Sequence, residues 1–102
     1  MEINSRIFVT AKGNVEGVHV KWPGFGILFV YGSKGFLACG AFDIEAVEKF
    51  GAAACLVEST PENPIGTLDR FPLRKVTKVN HRAQALGIEA GMAVPEAFEK
   101  IA

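Results

Sequence analysis

Between Val18 and Trp22 apolar and polar side chains alternate, Val-His-Val-Lys-Trp, the two-residue period of a strand with one covered and one wet face. The earlier run at 7–12 is rich in β-branched and aromatic residues and predicts another strand, with a turn at Gly13-Asn14. Pro23-Gly24 breaks the pattern. Residues 26–31 are apolar throughout and 35–39 nearly so, which predicts a central antiparallel pair covered on both faces. Gly32-Ser33-Lys34-Gly35 forms the tight connection between them.

Beyond Cys39 the period changes. Asp43 is an N-cap residue, because its carboxylate can accept from the free amides of a first helical turn. Ile44, Val47 and Phe50 then share one helical face, and Gly51 suits a left-handed stop. Residues 53–58 read as a strand, followed by a loop in which Asn63 caps and Pro64 opens a brief helical turn carrying Ile65 and Leu68. The segment 73–79 predicts an edge strand, since Arg74, Lys75 and Lys78 discourage pairing with another chain. Asn80 caps a helix over 81–86 that Gly87 ends. Pro95 opens a last helix with Val94, Phe98 and Ile101 on one side. This order predicts a single α+β domain over residues 1–102, with a mainly antiparallel sheet of five or six strands and two or three short helices.

Charge narrows the partners. Eleven basic and eleven acidic residues cancel, so no long-range field draws the chain onto nucleic acid or an anionic membrane. The apolar runs fall far short of the ~20 residues that cross a bilayer. MEINSRIFVT has neither the basic end nor the apolar stretch of a signal sequence, and Cys39 and Cys55 are far apart in apolar runs. Two reduced thiols in a cytoplasmic protein are expected. Eight Phe in 102 residues load a small core heavily, and three short helices with one turn cover only one face of such a sheet. The other face calls for a second subunit, so a compact homo-oligomer, dimer or trimer, is predicted.

Three segments together, Gly35-Phe36-Leu37-Ala38-Cys39-Gly40-Ala41-Phe42-Asp43, Thr67-Leu68-Asp69, and Leu86-Gly87-Ile88-Glu89-Ala90-Gly91-Met92 with Glu96-Ala97-Phe98 behind, give the chain a family likeness. It resembles the YunC-like family of small bacterial and archaeal proteins, a domain of unknown function, from about Gly17 onward. The resemblance implies a small α+β fold and no established activity. One departure is visible: Ala93-Val94-Pro95 stands where the family pattern has Ser-Gly-Arg, which removes the side-chain cap before the last helix.

The candidate catalytic groups are Cys39, Asp43 and His81. A thiol becomes nucleophilic when its anion is stabilised by a helix N-terminus, a cation or an imidazole base. Cys39 precedes the proposed cap by four residues, and the Asp43 carboxylate already occupies the helix start, so a small core residue is the favoured reading. His81 follows Asn80 in a first helical turn and is expected to be exposed and mostly neutral. His19 shares the polar face of its strand with Lys21 and is expected to be solvated. No closely spaced His or Cys pair predicts a metal, and no motif predicts a cofactor. The Gly32 to Gly35 connection lacks P-loop spacing. Arg70, Arg74, Lys75, Lys78 and Arg82 make the best site for a small anionic ligand, although strand alternation splits them between faces. Two functions follow: a non-enzymatic self-associating module that binds a partner or small ligand between subunits, and a small cysteine-dependent enzyme centred on Cys39.

Overall fold

The computed structural model describes residues 1–62 and 64–102; Asn63, read above as a cap, lies outside the described residues. The strands β1 (Glu2–Thr10), β2 (Gly13–Trp22) and β3 (Phe25–Tyr31) form an antiparallel meander. The first turn is Ala11-Lys12 rather than Gly13-Asn14, because Thr10 pairs with Gly13 and Asn14 already faces Val9. The Thr10 hydroxyl closes this turn, accepting from the Lys12 amide at 3.1 Å and donating to the Gly13 carbonyl at 2.6 Å. Pro23-Gly24 links Trp22 to Phe25 in two residues, with Gly24 at a φ of 87° that side chains resist.

Strand β4 (Phe36–Ala38) pairs antiparallel with β3, and β5 (Ala54–Leu56) pairs parallel with β4. A parallel pair needs a crossover, which the helix α1 (Ile44–Glu48) supplies. Strand β6 (Lys78–Val79) runs antiparallel to β5 and ends a six-stranded sheet in the order β1-β2-β3-β4-β5-β6. With α2 (His81–Ala85) and α3 (Val94–Ile101), this is the α+β architecture the pattern predicts. As expected, Ala93 at the N-cap of α3 offers no side-chain cap, and a proline stands in the helix's first turn.

Cross-strand register sorts the sheet into two faces. On one, Leu28, Val30, Leu37 and Cys55 meet the buried side of α3, where Val94, Phe98 and Ile101 are all 2% exposed or less. Phe98 packs between Phe8 at 5.2 Å and a stacked Phe71 at 6.3 Å. Fully burying each such side chain is worth ~1.5–3 kcal/mol, so this layer carries the fold. Among the described residues, the other face is covered at β4 and β5, where Ile44 of α1 joins Ala54, Leu56, Phe36 and Phe42. The expectation that all helices share one face is therefore corrected: successive strand residues point to opposite faces, and α1 packs on the side opposite Cys55.

Three local readings also change. In place of a strand over 73–79, the chain makes a 3-10 turn at Phe71–Leu73 around Pro72, a single bridge from Lys75 to Ala93, and only two strand residues in β6. Proline there supplies no ladder donor. The helical turn expected at Pro64 begins instead near Thr67, whose carbonyl accepts from Arg70, while Ile65 and Leu68 are buried as foreseen. Phe50 leaves the helical face: α1 ends at Glu48, the chain reverses at Gly51 (φ 89°), and Phe50 is 91% exposed.

Candidate functional site

The starts of α1 and α2 converge beside β5. Asp43 Oδ1 accepts from the amides of Glu45 at 3.1 Å and Ala46 at 3.0 Å, as its cap position requires. Asn80 does more than cap α2. Its Oδ1 accepts from Ala83 at 3.0 Å and Ala54 at 3.1 Å, while its Nδ2 donates to the carbonyls of Ile44 and Ala52, both at 3.0 Å. The remaining first-turn amides of α2 go to another helix: Glu48 of α1 accepts from His81 and from Arg82 at 3.2 Å, and its other oxygen lies 3.4 Å from His81 Nδ1. Desolvation pushes the Glu48 carboxyl up, but the Arg82 and His81 amides and the His81 ring together bring it below the ordinary value. The side-chain partner of exposed His81 is thus Glu48, a contact that sequence spacing does not reveal.

Two clefts adjoin this junction at the carboxyl ends of β4 and β5. The larger, about 850 Å³, is lined by Phe42, Asp43, Glu48, Lys78, Asn80 and His81 among others. The second, about 550 Å³, holds Cys39, His19, Leu28, Ser59 and Ile65, and shares Gly40 and Glu58 with the first. Asp43 and His81 therefore share one cleft and Cys39 lines the other. Half-buried Cys39 follows β4, and its amide donates to the Leu28 carbonyl at 2.9 Å. His19 sits opposite Leu28 on the other side. Leu28 stands between thiol and imidazole, with backbones two strand spacings or about 10 Å apart. His19 is half-buried rather than solvated; burial, then the Lys21 charge, lowers its pKa and favours the neutral ring.

The basic residues do not converge on one anion pocket. Arg74 Nη2 donates to the Glu58 carbonyl at 3.1 Å, Lys78 Nζ lies 3.9 Å from the Glu58 carboxylate, and the backbone of Lys75 bridges to Ala93. With Asp43, Glu45, Glu48 and Glu58 along the larger cleft, its charge lends no support to an anionic ligand. Among the described residues no group of three or more His, Cys, Asp or Glu is placed to hold a metal ion. No helix among them is long and apolar enough to cross a membrane.

Comparison with known proteins agrees with the fold. Residues 38–101 match the family model described as a domain of unknown function, DUF1805. A crystal structure of a protein of unknown function from Thermoplasma acidophilum is similar over 99% of this chain and 94% of its own, with a TM-score of 0.84 and 24% identity. That likeness speaks to the fold. No curated protein matches the chain.

Proposed function

This chain belongs to the DUF1805 family, a domain of unknown function, and from that footing we propose that it is a small non-enzymatic, self-associating module. The observation that carries the reading is the bare side of the meander, where Ile3, Ile7, Val9, Trp22, Phe25 and Tyr31 are each 40% exposed or more. Isolated exposed apolar residues are ordinary; six on one sheet face make a patch of the kind that marks an interaction surface. The free thiols of Cys39 and Cys55 fit a cytoplasmic setting, and the Cys39 to Asp43 and Leu86 to Ile88 segments fit the YunC-like branch. Light scattering coupled to gel filtration at low micromolar concentration tests the reading. A mass of twice the chain's 11.0 kDa or more is expected, and a mass near 11.0 kDa would sink it.

One observation favours a cysteine-dependent enzyme as the second reading: Cys39 and a neutral-leaning His19 open into the same cleft. Alkylation of native Cys39 faster than free cysteine, lost in His19→Ala, would support it over the first.

A further inference from the structure

We infer that the surface of self-association is the bare face of the β1-β2-β3 meander and that its occupant is a second copy of this chain, packed face to face about a two-fold axis. This rests on the self-associating reading and adds the surface and the geometry. Register places Ile3, Ile7 and Val9 of β1, Val18 and Val20 of β2, and Ile27 and Phe29 of β3 on that face. None of these seven belongs to either core cluster. The polar residues among them are Ser5, Asn14 and Glu16, and the Glu16 carboxylate already accepts from the Tyr31 hydroxyl, so the centre carries no cation and no unpartnered charge. Such a surface is complementary to itself, which is what an isologous two-fold contact requires.

Size and shape agree. The six most exposed side chains offer on the order of 600 Å² per copy, and half-buried Val18, Val20, Ile27 and Phe29 add to it. A standard stable interface buries roughly 800 Å² per partner, and this face is of the same order. Helix α1 lies on the same side, over β4 and β5, with Phe42 edge-on to Phe29 at 5.7 Å marking its border. A helix is ~10 Å thick and packed sheets stand ~10 Å apart, so the partner's sheet continues the layer that α1 begins. Pairing two copies along the free edge of β1 instead would leave this face bare and double its extent.

Adjacent residues of β1 separate the two arrangements, because Ile3 faces the bare side and Asn4 the opposite one, while both lie on the edge strand. Sedimentation velocity on the full chain is run for wild type, Ile3→Lys, Val9→Lys and Asn4→Lys. Ile3 and Val9 are 61% and 80% exposed, so the fold tolerates lysine there, and circular dichroism checks it. Dissociation constants at least about tenfold higher for Ile3→Lys and Val9→Lys, against less than about twofold for Asn4→Lys, support the inference. Trp22, the one tryptophan, lies on this face against Phe25, so its emission moves to shorter wavelength as copies associate. Equal weakening by Ile3→Lys and Asn4→Lys, no weakening by either face variant, or unchanged Trp22 emission overturns it while leaving self-association standing. A wild-type chain that stays near 11.0 kDa at every concentration overturns self-association itself.

Discussion

The side-chain amide of Asn80 donates to the carbonyl of Ile44 at 3.0 Å, tying the start of α2 to the first residue of α1 across β5. Asn80 is 5% exposed and uses both ends of its amide, so its loss strands partners on α1, β5 and α2 and the Ala52 carbonyl as well. Each stranded group costs ~1–3 kcal/mol. Asn80→Ala is expected to lose about 3 kcal/mol or more in urea unfolding. Asn80→Asp is expected to lose nearly as much, because it keeps the acceptor but turns an oxygen on the Ile44 and Ala52 carbonyls. A loss below about 1 kcal/mol for either would mean the junction is held elsewhere.

Asp43 makes a simpler contribution. Asp43→Ala is expected to cost ~1 kcal/mol, and Asp43→Asn much less, because the amide oxygen still accepts from Glu45 and Ala46. Equal losses would show that the negative charge matters beyond the cap and would point to a functional use of the cleft it lines.

These two caps show what local sequence reports well. Asp43 and Asn80 announce helix starts because capping needs only a few neighbouring amides, and Val94, Phe98 and Ile101 announce a face because helical period is local. The last strand was illegible for the opposite reason: β6 exists because Val79 pairs with Cys55, a partner 24 positions away, while Pro72 and the Lys75 bridge shape the residues before it. Long-range pairing also put His19 beside the Cys39 cleft and Glu48 on His81, which no spacing rule foresees. Alternation along β2 separated His19 and Lys21 from the valines correctly, but the face it implied to be wet, that of His19, is the one α3 covers, and the valine face is the one left bare.

Glu48 makes stability depend on pH in a definite direction. Its folded pKa lies below the ordinary 4.5, so the folded state binds fewer protons than the unfolded one as the carboxyl titrates. The stabilisation is fully present above 4.5 and is lost as pH falls through the lowered folded value. In Glu48→Gln the acid limb of a stability-against-pH curve is expected to flatten below 4.5, with the curve above neutral pH keeping its shape. An unchanged acid limb would remove Glu48 from the pH response.

Gly32 is held by proximity. A Cβ built there falls 2.2 Å from the Ile101 carbonyl oxygen and 2.7 Å from its carbon, both main-chain atoms that cannot turn aside. The same contact zone holds the C-terminus, where Lys34 donates to the Ile101 carbonyl at 2.9 Å and Ser33 to Ala102 at 3.0 Å. Gly32→Ala is expected to cost ~2 kcal/mol by displacing the end of α3, in line with overpacking elsewhere. Gly40→Ala is the control, since its added Cβ meets only Glu58 Cγ at 3.5 Å and should change the thermal midpoint little.

The two thiols should separate cleanly in their chemistry. Cys55 is fully buried in β5, and desolvation pushes its pKa up to about 12, so almost none is thiolate near neutral pH. Cys39 is half-buried and lines an open cleft. Native protein treated with iodoacetamide at neutral pH is expected to gain one label per chain by intact mass, on Cys39, and a second only in urea. Because the non-enzymatic reading gives Cys39 no activating partner, its labelling should be no faster than that of free cysteine. Cys39→Ala should then keep the fold at a loss on the order of 1 kcal/mol, typical of a small core change. Rapid labelling of Cys39 that disappears in His19→Ala would reverse the assignment, since an imidazole across Leu28 would then be reaching the thiol in solution.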